Sequence, residues 1–197
     1  MHSDKFQAAI RRLDEENAHD PNREGGRPRE LVYAERLTDW VRRRQPDASE
    51  PLLLAARCQH ICRWQNPRDK YPMTKAGYLK WRADLKAFHA QKSGEILRQT
   101  GYDEETIRRV QALNLKQNFP ADPEVRVLED ALCLVFLKYQ LAELAAKTDD
   151  QKIINALRKS WGKMTEAARA EALKLNYHPR EKSLIDQALA SPGTNHD

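Results

Sequence analysis

The sequence predicts an all-α fold, a single-domain helical bundle, and three observations support this class. Apolar residues recur three and four positions apart along most of the chain, the spacing that places them on one face of a helix. Only seven glycines occur in 197 residues, and the ten prolines fall in the connectors between these periodic segments. No stretch alternates apolar and polar residues as a half-buried strand would.

The individual helices are recognised by their apolar stripes and by the residues that cap them. Ser3 precedes a stripe that includes Phe6 and Leu13, and Thr74 and Asp103 hold the same N-cap position before two later helices. The predicted helices span about Ser3–Asn17, Glu30–Gln45, Glu50–Trp64, Thr74–Gln99, a segment after Asp103, Pro123–Lys147, Asp149–Trp161 and Thr165–Leu175. The helical domain is predicted to cover residues 1–178, and a C-terminal tail, 179–197, to hold one or two further turns.

Composition narrows the class of protein. With 40% hydrophobic and 32% charged residues, the chain resembles a soluble globular protein. No apolar run approaches the ~20 residues needed to cross a bilayer, and the first residues lack the apolar core of a secretory signal. We therefore expect a cytoplasmic protein without a membrane partner. The net charge of +5 suits an anionic substrate or a nucleic acid, but it is also common in proteins that bind neither.

The three cysteines are predicted to be reduced, buried packing thiols. Cys58, His60 and Cys62 resemble a zinc motif, but the geometry of a regular helix is against it. Cys58 and Cys62 share a helix face, whereas His60 projects about 200° away from each. The early pair His19-Asp20, in a loop rich in Gly and Pro, is compatible either with a site or with a turn.

Glu129 and Asp130 are adjacent carboxylates in the most apolar stretch of the chain, 125–141. A helix that is apolar on all sides is predicted to run through the core, where an unpaired charge is very costly. At least one carboxylate is therefore expected to need a metal, a His or an Arg nearby. Alternatively, both lie in an exposed first turn and favour the helix dipole.

Two other predicted helices each present one His and one Arg. His60, Arg63 and Trp64 share a helix face, and Arg82 and His89 lie two turns apart on one stripe. Together with Glu129 and Asp130, these residues could form a cation site flanked by guanidinium groups that bind phosphate. The alternatives are hydrogen-bonded core histidines and a structural ion-pair network.

The segments QHICRW, PR, YP, GYLKWR, FHA and LEDALCLVFL resemble the domain-of-unknown-function family 4202. This resemblance covers about residues 3–175 and implies no particular reaction. A weaker resemblance, at the level of the fold, is to the HD-type metal phosphohydrolases, and it implies an HD-like helical bundle. It matches His60 to the His of their His-Asp dyad and Asp130 to their last Asp. The chain departs from their pattern, with Ile61 in place of the dyad Asp and Ala90 after His89.

From the residues and the resemblance together we predict an HD-like, metal-dependent hydrolase of a small phosphorylated metabolite or nucleotide. The cofactor would be a divalent metal (Mn, Fe, Zn or Mg), and the substrate a small phosphorylated anion. An alternative is a non-catalytic helical protein that binds RNA or a small anion, with Trp64, Tyr71, Tyr78 and Trp81 as stacking surfaces. The predicted site comprises catalytic Glu129 and Asp130, metal ligands His60, His89 and Asp130, and substrate-binding Arg63, Arg68, Arg82, Trp64, Tyr71 and Trp81.

Overall fold

A computed structural model describes residues 3–190 and confirms the all-α prediction. The α-helices are α1 Asp4–Ala18, α2 Arg29–Arg44, α3 Glu50–Cys58, α4 Lys75–Gln99, α5 Glu104–Leu115, α6 Pro123–Val135, α7 Leu141–Lys147, α8 Asp150–Lys163, α9 Glu166–Leu173 and α10 Pro179–Leu189. Short 3-10 turns lie at Arg63–Gln65 and Arg68–Lys70. A minimal antiparallel ribbon, β1 Arg23–Glu24 and β2 Arg27–Pro28, closes through two glycines with positive φ.

The chain divides into two compact units, Met1–Leu128 and Glu129–Asp197. In the first unit α3 packs against α1, α2 and α5, while α4 packs against α5. The stretch 52–56 of α3 (LLLAA) is completely buried, so this short helix forms the centre of that core. In the second unit α10 packs against α7 and α8. None of the helices in residues 3–190 has the length and apolar character needed to cross a bilayer.

The predicted N-caps form where the sequence places them. Ser3, Thr74 and Asp103 each accept a hydrogen bond from the backbone N–H three residues later, at 3.2, 3.1 and 2.8 Å. Each bond satisfies one of the amides that a helix leaves without a partner in its first turn. The start of these helices is therefore determined locally, by single side chains.

The third helix ends six residues earlier than predicted, at Cys58 instead of Trp64. The chain turns through 59–62, and Cys62 adopts a left-handed conformation with φ 50°. The backbone N–H of Cys62 donates to Oδ1 of Asn17, a fully buried residue of α1, at 3.1 Å. This bond replaces one that a continuing helix would make, so His60 and Arg63 lie on a turn and not on a helix face.

Two further differences concern the C-terminal part of the chain. The helix predicted to run from Pro123 to Lys147 is interrupted by a π-helical turn at Phe136–Gln140. Such a turn adds one residue to the helix and shifts the faces on either side of it. The tail, predicted to hold one or two turns, contains the 11-residue helix α10, which begins with Pro179 in its first turn.

Candidate functional site

The first unit contains a group of polar side chains that we call the His60 cluster. It comprises Glu30 and Tyr33 from α2, His60 and Arg63 from the turn after α3, and Arg82 and His89 from α4. Three of these residues, Glu30, Tyr33 and His89, are buried, while the side chain of His60 is 20% exposed. The cluster is therefore partly open to solvent at His60.

Protein groups surround His60 on one face and at both ring nitrogens. Its ring stacks on that of Tyr33, with the ring centroids 3.9 Å apart and an interplanar angle of 8°. Its Nδ1 lies 3.3 Å from Oε2 of Glu30, and its Nε2 lies 3.2 Å from Nη1 of Arg63. Burial, followed by the charges of Arg63 and Arg82, holds the pKa of His60 well below its usual 6.5. The ring is therefore neutral at physiological pH.

His89 is neutral for the same reasons. It is only 3% exposed, and its ring centroid lies 5.7 Å from that of His60. Burial is the largest cause that lowers its pKa to about 2, and the charges of Arg63 and Arg82 add to this. Its Nε2 is buried and has no hydrogen-bond partner within residues 3–190. A buried polar atom without a partner is uncommon and costly, so a donor from a ligand or a water would stabilise this position.

Glu30 is the acidic member of the cluster. Burial, its largest influence, raises its pKa to about 7, against the opposing effect of the Arg63 charge. The carboxylate of Asp20 also raises this pKa, and Asp20 Oδ2 accepts from the backbone N–H of Glu30 at 3.0 Å. A carboxyl group with this pKa exchanges its proton near neutral pH, as a general acid or base must.

Arg63 and Arg82 supply positive charge that no acidic residue balances by direct contact. Arg63 lies over the ring of Trp81, with 5.1 Å between its Cζ and the ring centroid, and contacts Nε2 of His60. Across the described chain, neither guanidinium has a carboxylate within ion-pair distance. Both side chains are half-buried, and burial lowers the pKa of Arg63. Two nearby cations in a partly buried position favour an anion as their partner.

Arg68, predicted to bind substrate, holds the connector before α4 together. It donates to the backbone carbonyls of Tyr71 at 2.9 Å and Pro72 at 2.8 Å, and more weakly to that of Thr74 at 3.5 Å. The connector then passes so close to α4 that a Cβ on Gly77 would lie 2.1 Å from the carbonyl oxygen of Pro72. Its observed contacts therefore give Arg68 a structural role.

The aromatic residues of the predicted site divide between core and surface. Trp81 is buried and Trp64 is half-buried. Tyr71 is half-buried, and its hydroxyl donates to Oδ2 of Asp84 at 3.0 Å. Tyr78, at 46% exposed, is the most accessible of the four. A stacking platform for successive bases needs several exposed rings. Of these four residues, only Tyr78 has an exposed ring, so they do not form such a platform.

Glu129 and Asp130 belong to the second unit and are both buried, at 4% and 2% exposed, which confirms the prediction that at least one of them is buried. Asp130 accepts from the backbone N–H of Thr165 at 2.8 Å and from its hydroxyl at 2.5 Å. Glu129 Oε1 accepts from Nζ of Lys163 at 3.0 Å. These contacts connect α6 to the end of α8 and the start of α9. The catalytic and ligand roles of the two carboxylates stay predictions.

The residues of the His60 cluster do not fit a metal ion. Within residues 3–190, no group of three or more His, Cys, Asp and Glu side chains is arranged to hold one. His60 directs one ring nitrogen at Arg63 and the other at Glu30, and a cation would be repelled by the two guanidiniums.

The cysteines of the first unit do not supply ligands either. Cys58 and Cys62 are buried free thiols, as predicted, and burial raises their pKa values to about 11 and about 12. A metal ligand must be a thiolate, so these shifts oppose metal binding. His19-Asp20 forms a turn, with Asp20 Oδ1 accepting from the backbone N–H of Asn22 at 2.9 Å, and His19 is exposed.

Two members of the cluster were not predicted as site residues. Glu30 and Tyr33 are three positions apart on α2, and Glu30 is followed by Ala34 and Leu37 on the same apolar stripe. A carboxylate on an otherwise apolar stripe was therefore visible in the sequence. The stacking of Tyr33 on His60 was not, because it depends on the turn after α3.

Comparison with known proteins identifies the family of the chain. Neither a curated protein nor a solved structure matches it. The family model described as "Domain of unknown function (DUF4202)" matches residues 7–185, which is most of the chain and includes every member of the His60 cluster. The HD-like resemblance stays a prediction. By the extent of this match, the chain belongs to the DUF4202 family.

Proposed function

We propose that the His60 cluster binds the phosphate group of a small phosphorylated metabolite and that the protein hydrolyses the phosphoester. The observation that supports this proposal is the pair Arg63 and Arg82, whose guanidinium groups have no carboxylate partner in the described chain. Glu30, the acidic residue closest to His60, has a pKa of about 7 and offsets the charge only in part. The cluster is short of negative charge.

A phosphate group supplies that charge. Each guanidinium presents a planar set of N–H donors that matches two phosphate oxygens, and such charge-assisted bonds are about twice as strong as neutral ones. The contact of Arg63 with Trp81 limits how its guanidinium turns, which reduces the entropy lost on binding. The neutral rings of His60 and His89 add no repulsion and no further charge.

Glu30 is the proposed proton-transfer group. Its ionised carboxylate takes a proton from a water molecule while the water oxygen attacks phosphorus. The bond between phosphorus and the ester oxygen breaks, and Glu30 returns the proton to that oxygen, so the products are inorganic phosphate and an alcohol. Arg63 and Arg82 stabilise the charge that builds on the phosphoryl oxygens. No step of this scheme uses Glu129 or Asp130.

The test measures release of inorganic phosphate from a panel of phosphate monoesters, with and without a metal chelator. Glu30→Gln should lower kcat by about 10²–10⁴-fold, the range for loss of a general acid or base, while binding persists. Arg82→Lys should raise KM by about tenfold, because lysine keeps the charge but loses the bidentate geometry. Arg42→Lys, on the exposed face of α2, is the matched control and should change neither constant.

Two outcomes would overturn the proposal in different ways. If no phosphate monoester raises the melting temperature of the protein, the cluster is not a phosphate site. If esters bind through Arg82 but are not hydrolysed, the function is small-anion binding without catalysis. RNA binding has less support, because Tyr78 is the one strongly exposed ring among Trp64, Tyr71, Tyr78 and Trp81. Equal loss of RNA affinity in Arg42→Ala and Arg82→Ala would indicate binding through diffuse charge.

A further inference from the structure

We infer that the ligand of this site carries a hydroxyl group in addition to its phosphate, and that Nε2 of His89 accepts a hydrogen bond from that hydroxyl. This inference rests on the proposed function, since it specifies the class of phosphate ester that the site selects. The class is that of phosphorylated polyols and sugars, as opposed to phosphate esters of simple alkyl groups.

The first step is the state of Nε2 itself. His89 is 3% exposed, and its Nε2 is completely shielded from solvent without a hydrogen-bond partner in residues 3–190. Leaving such an atom unsatisfied costs about 1–3 kcal/mol. Its neighbours in the cluster do not satisfy it, since His60 directs its own nitrogens at Arg63 and Glu30. Since no group within residues 3–190 satisfies this atom, we assign its partner to a bound molecule.

The second step is the direction of the missing bond. A hydrogen bond with the backbone of Gln59 raises the pKa of His89, so this bond favours the protonated ring. Such a bond is donated by a ring N–H, and its acceptor is therefore a backbone carbonyl oxygen. Since Nε2 has no partner, that donor is Nδ1. In a neutral imidazole one nitrogen is a donor and the other an acceptor. Nε2 of His89 is thus an acceptor that needs a donor.

The third step is the chemistry of that donor. A phosphate oxygen without a proton has none to give, so the phosphate bound by Arg63 and Arg82 does not satisfy His89. An ammonium group is disfavoured because two guanidiniums already lie nearby. A neutral O–H group meets both conditions, and in a phosphate ester that group is a hydroxyl of the esterified alcohol. The rings of His60 and His89 are 5.7 Å apart between centroids, a separation that a few bonds of a small molecule span.

The test compares two ligands that differ in their hydroxyl groups, glycerol 3-phosphate and propyl phosphate, by calorimetric titration of the whole protein. The wild type should bind glycerol 3-phosphate at least about tenfold more tightly, since a site built to accept a hydroxyl discriminates strongly against an analogue without one. His89→Leu should bind the two esters with about equal affinity, and its affinity for propyl phosphate should equal that of the wild type. His89→Gln, which keeps an acceptor on a side chain of similar reach, should restore part of it.

The possible results distinguish failure of the hydroxyl contact from failure of the proposed function. Equal affinity of the wild type for the two esters would overturn the hydroxyl contact and leave the phosphate site intact. Binding of neither ester would overturn the proposed function as well. Unchanged affinity for propyl phosphate shows that His89→Leu is folded. If that variant does not fold, the wild-type comparison and His89→Gln still test the inference. A preference in His89→Gln as large as that of the wild type would contradict the assignment of the contact to Nε2.

Discussion

The His60 cluster and the Glu129-Asp130 pair are both groups of polar side chains in the interior of a helical unit, but they differ in how their hydrogen bonds are satisfied. Asp130 accepts two bonds from Thr165, and Glu129 pairs with Lys163. In the cluster, Arg82 has no partner within residues 3–190 and His89 has an unsatisfied nitrogen. Asp130 thus has partners at both oxygens within its own unit, whereas Nε2 of His89 has none within residues 3–190.

This difference shows that burial of a carboxylate is a weak guide to function. A buried charge is tolerated either because the protein itself supplies its partners or because a ligand does. The sequence reveals that a polar residue lies in an apolar stretch, but not which of these two solutions applies. Unsatisfied donors and acceptors distinguish them, and the following predictions test that distinction.

The largest effect is expected when the contacts of Asp130 are broken. Asp130→Ala removes both bonds to Thr165, which itself caps α9 through the backbone N–H of Ala168 at 3.2 Å. We expect the free energy of unfolding to fall by about 3–4 kcal/mol, measured by urea denaturation. Asp149→Ala is the control, because Asp149 caps α8 in an exposed position and its loss should cost about 1 kcal/mol. Equal losses would refute a special structural role for Asp130.

A smaller effect, with a defined pH dependence, is expected at Glu30. Burial raises its pKa from 4.5 to about 7, so between these pH values the folded protein retains a proton that the unfolded chain releases. Rising pH therefore destabilises the wild type through this group, whereas Glu30→Gln has nothing to ionise. The stability of the variant relative to the wild type should increase by about 3 kcal/mol from pH 4.5 to 7.

Urea denaturation at a series of pH values measures this difference. The lowered pKa values of His60 and His89 act in the opposite sense, because they make the folded protein less stable as pH falls below 6.5. This effect is present in both proteins. A flat difference between variant and wild type would mean that the pKa of Glu30 is the same in the folded and the unfolded protein. Glu15→Gln, on the exposed side of α1, serves as the control.

The smallest effect is expected from substitutions at two arginines of the first unit, Arg57 and Arg82. Arg57 donates to both carboxylate oxygens of Asp14, at 2.5 and 2.6 Å, and its side chain is 12% exposed. Arg57→Met should cost about 2 kcal/mol, because it leaves that carboxylate without its partner. Arg82→Met should change the free energy of unfolding by less than about 0.5 kcal/mol, or increase it, as expected for a residue retained for binding. A loss at Arg82 as large as that at Arg57 would show that Arg82 is structural.

The helices were predictable where a local signal defines them. Thr74 and Asp103 cap α4 and α5 as the sequence indicates, because a cap depends on one side chain and the amide three residues later. The end of α3 was not predictable, since it depends on Asn17, which is distant in sequence. The π-helical turn at Phe136–Gln140 likewise has no counterpart in the spacing of apolar residues.

The candidate site was predictable in part. His60, Arg63, Arg82 and His89 were identified as a group, although the prediction placed His60 and Arg63 on one helix face, where the structure has a turn. The sequence signal at Glu30, a carboxylate on an apolar stripe, is weak because an acidic residue at the start of a helix usually serves only to favour the helix dipole. Arg68 and Arg63 are both arginines in the same segment rich in aromatic and basic residues, so the sequence does not distinguish them. The bonds of Arg68 to backbone carbonyls do.

The bond between Asn17 and Cys62 also affects the order in which the protein acquires its site. The two residues are 45 positions apart, so closing this contact requires a long loop, whereas each helix can form from neighbouring residues. Until α1 docks, the segment after Cys58 is free to continue as a helix and to turn His60 away from Tyr33. The first unit should therefore gain most of its helical content before the His60 cluster is assembled, and competence to bind should appear as a late event in folding.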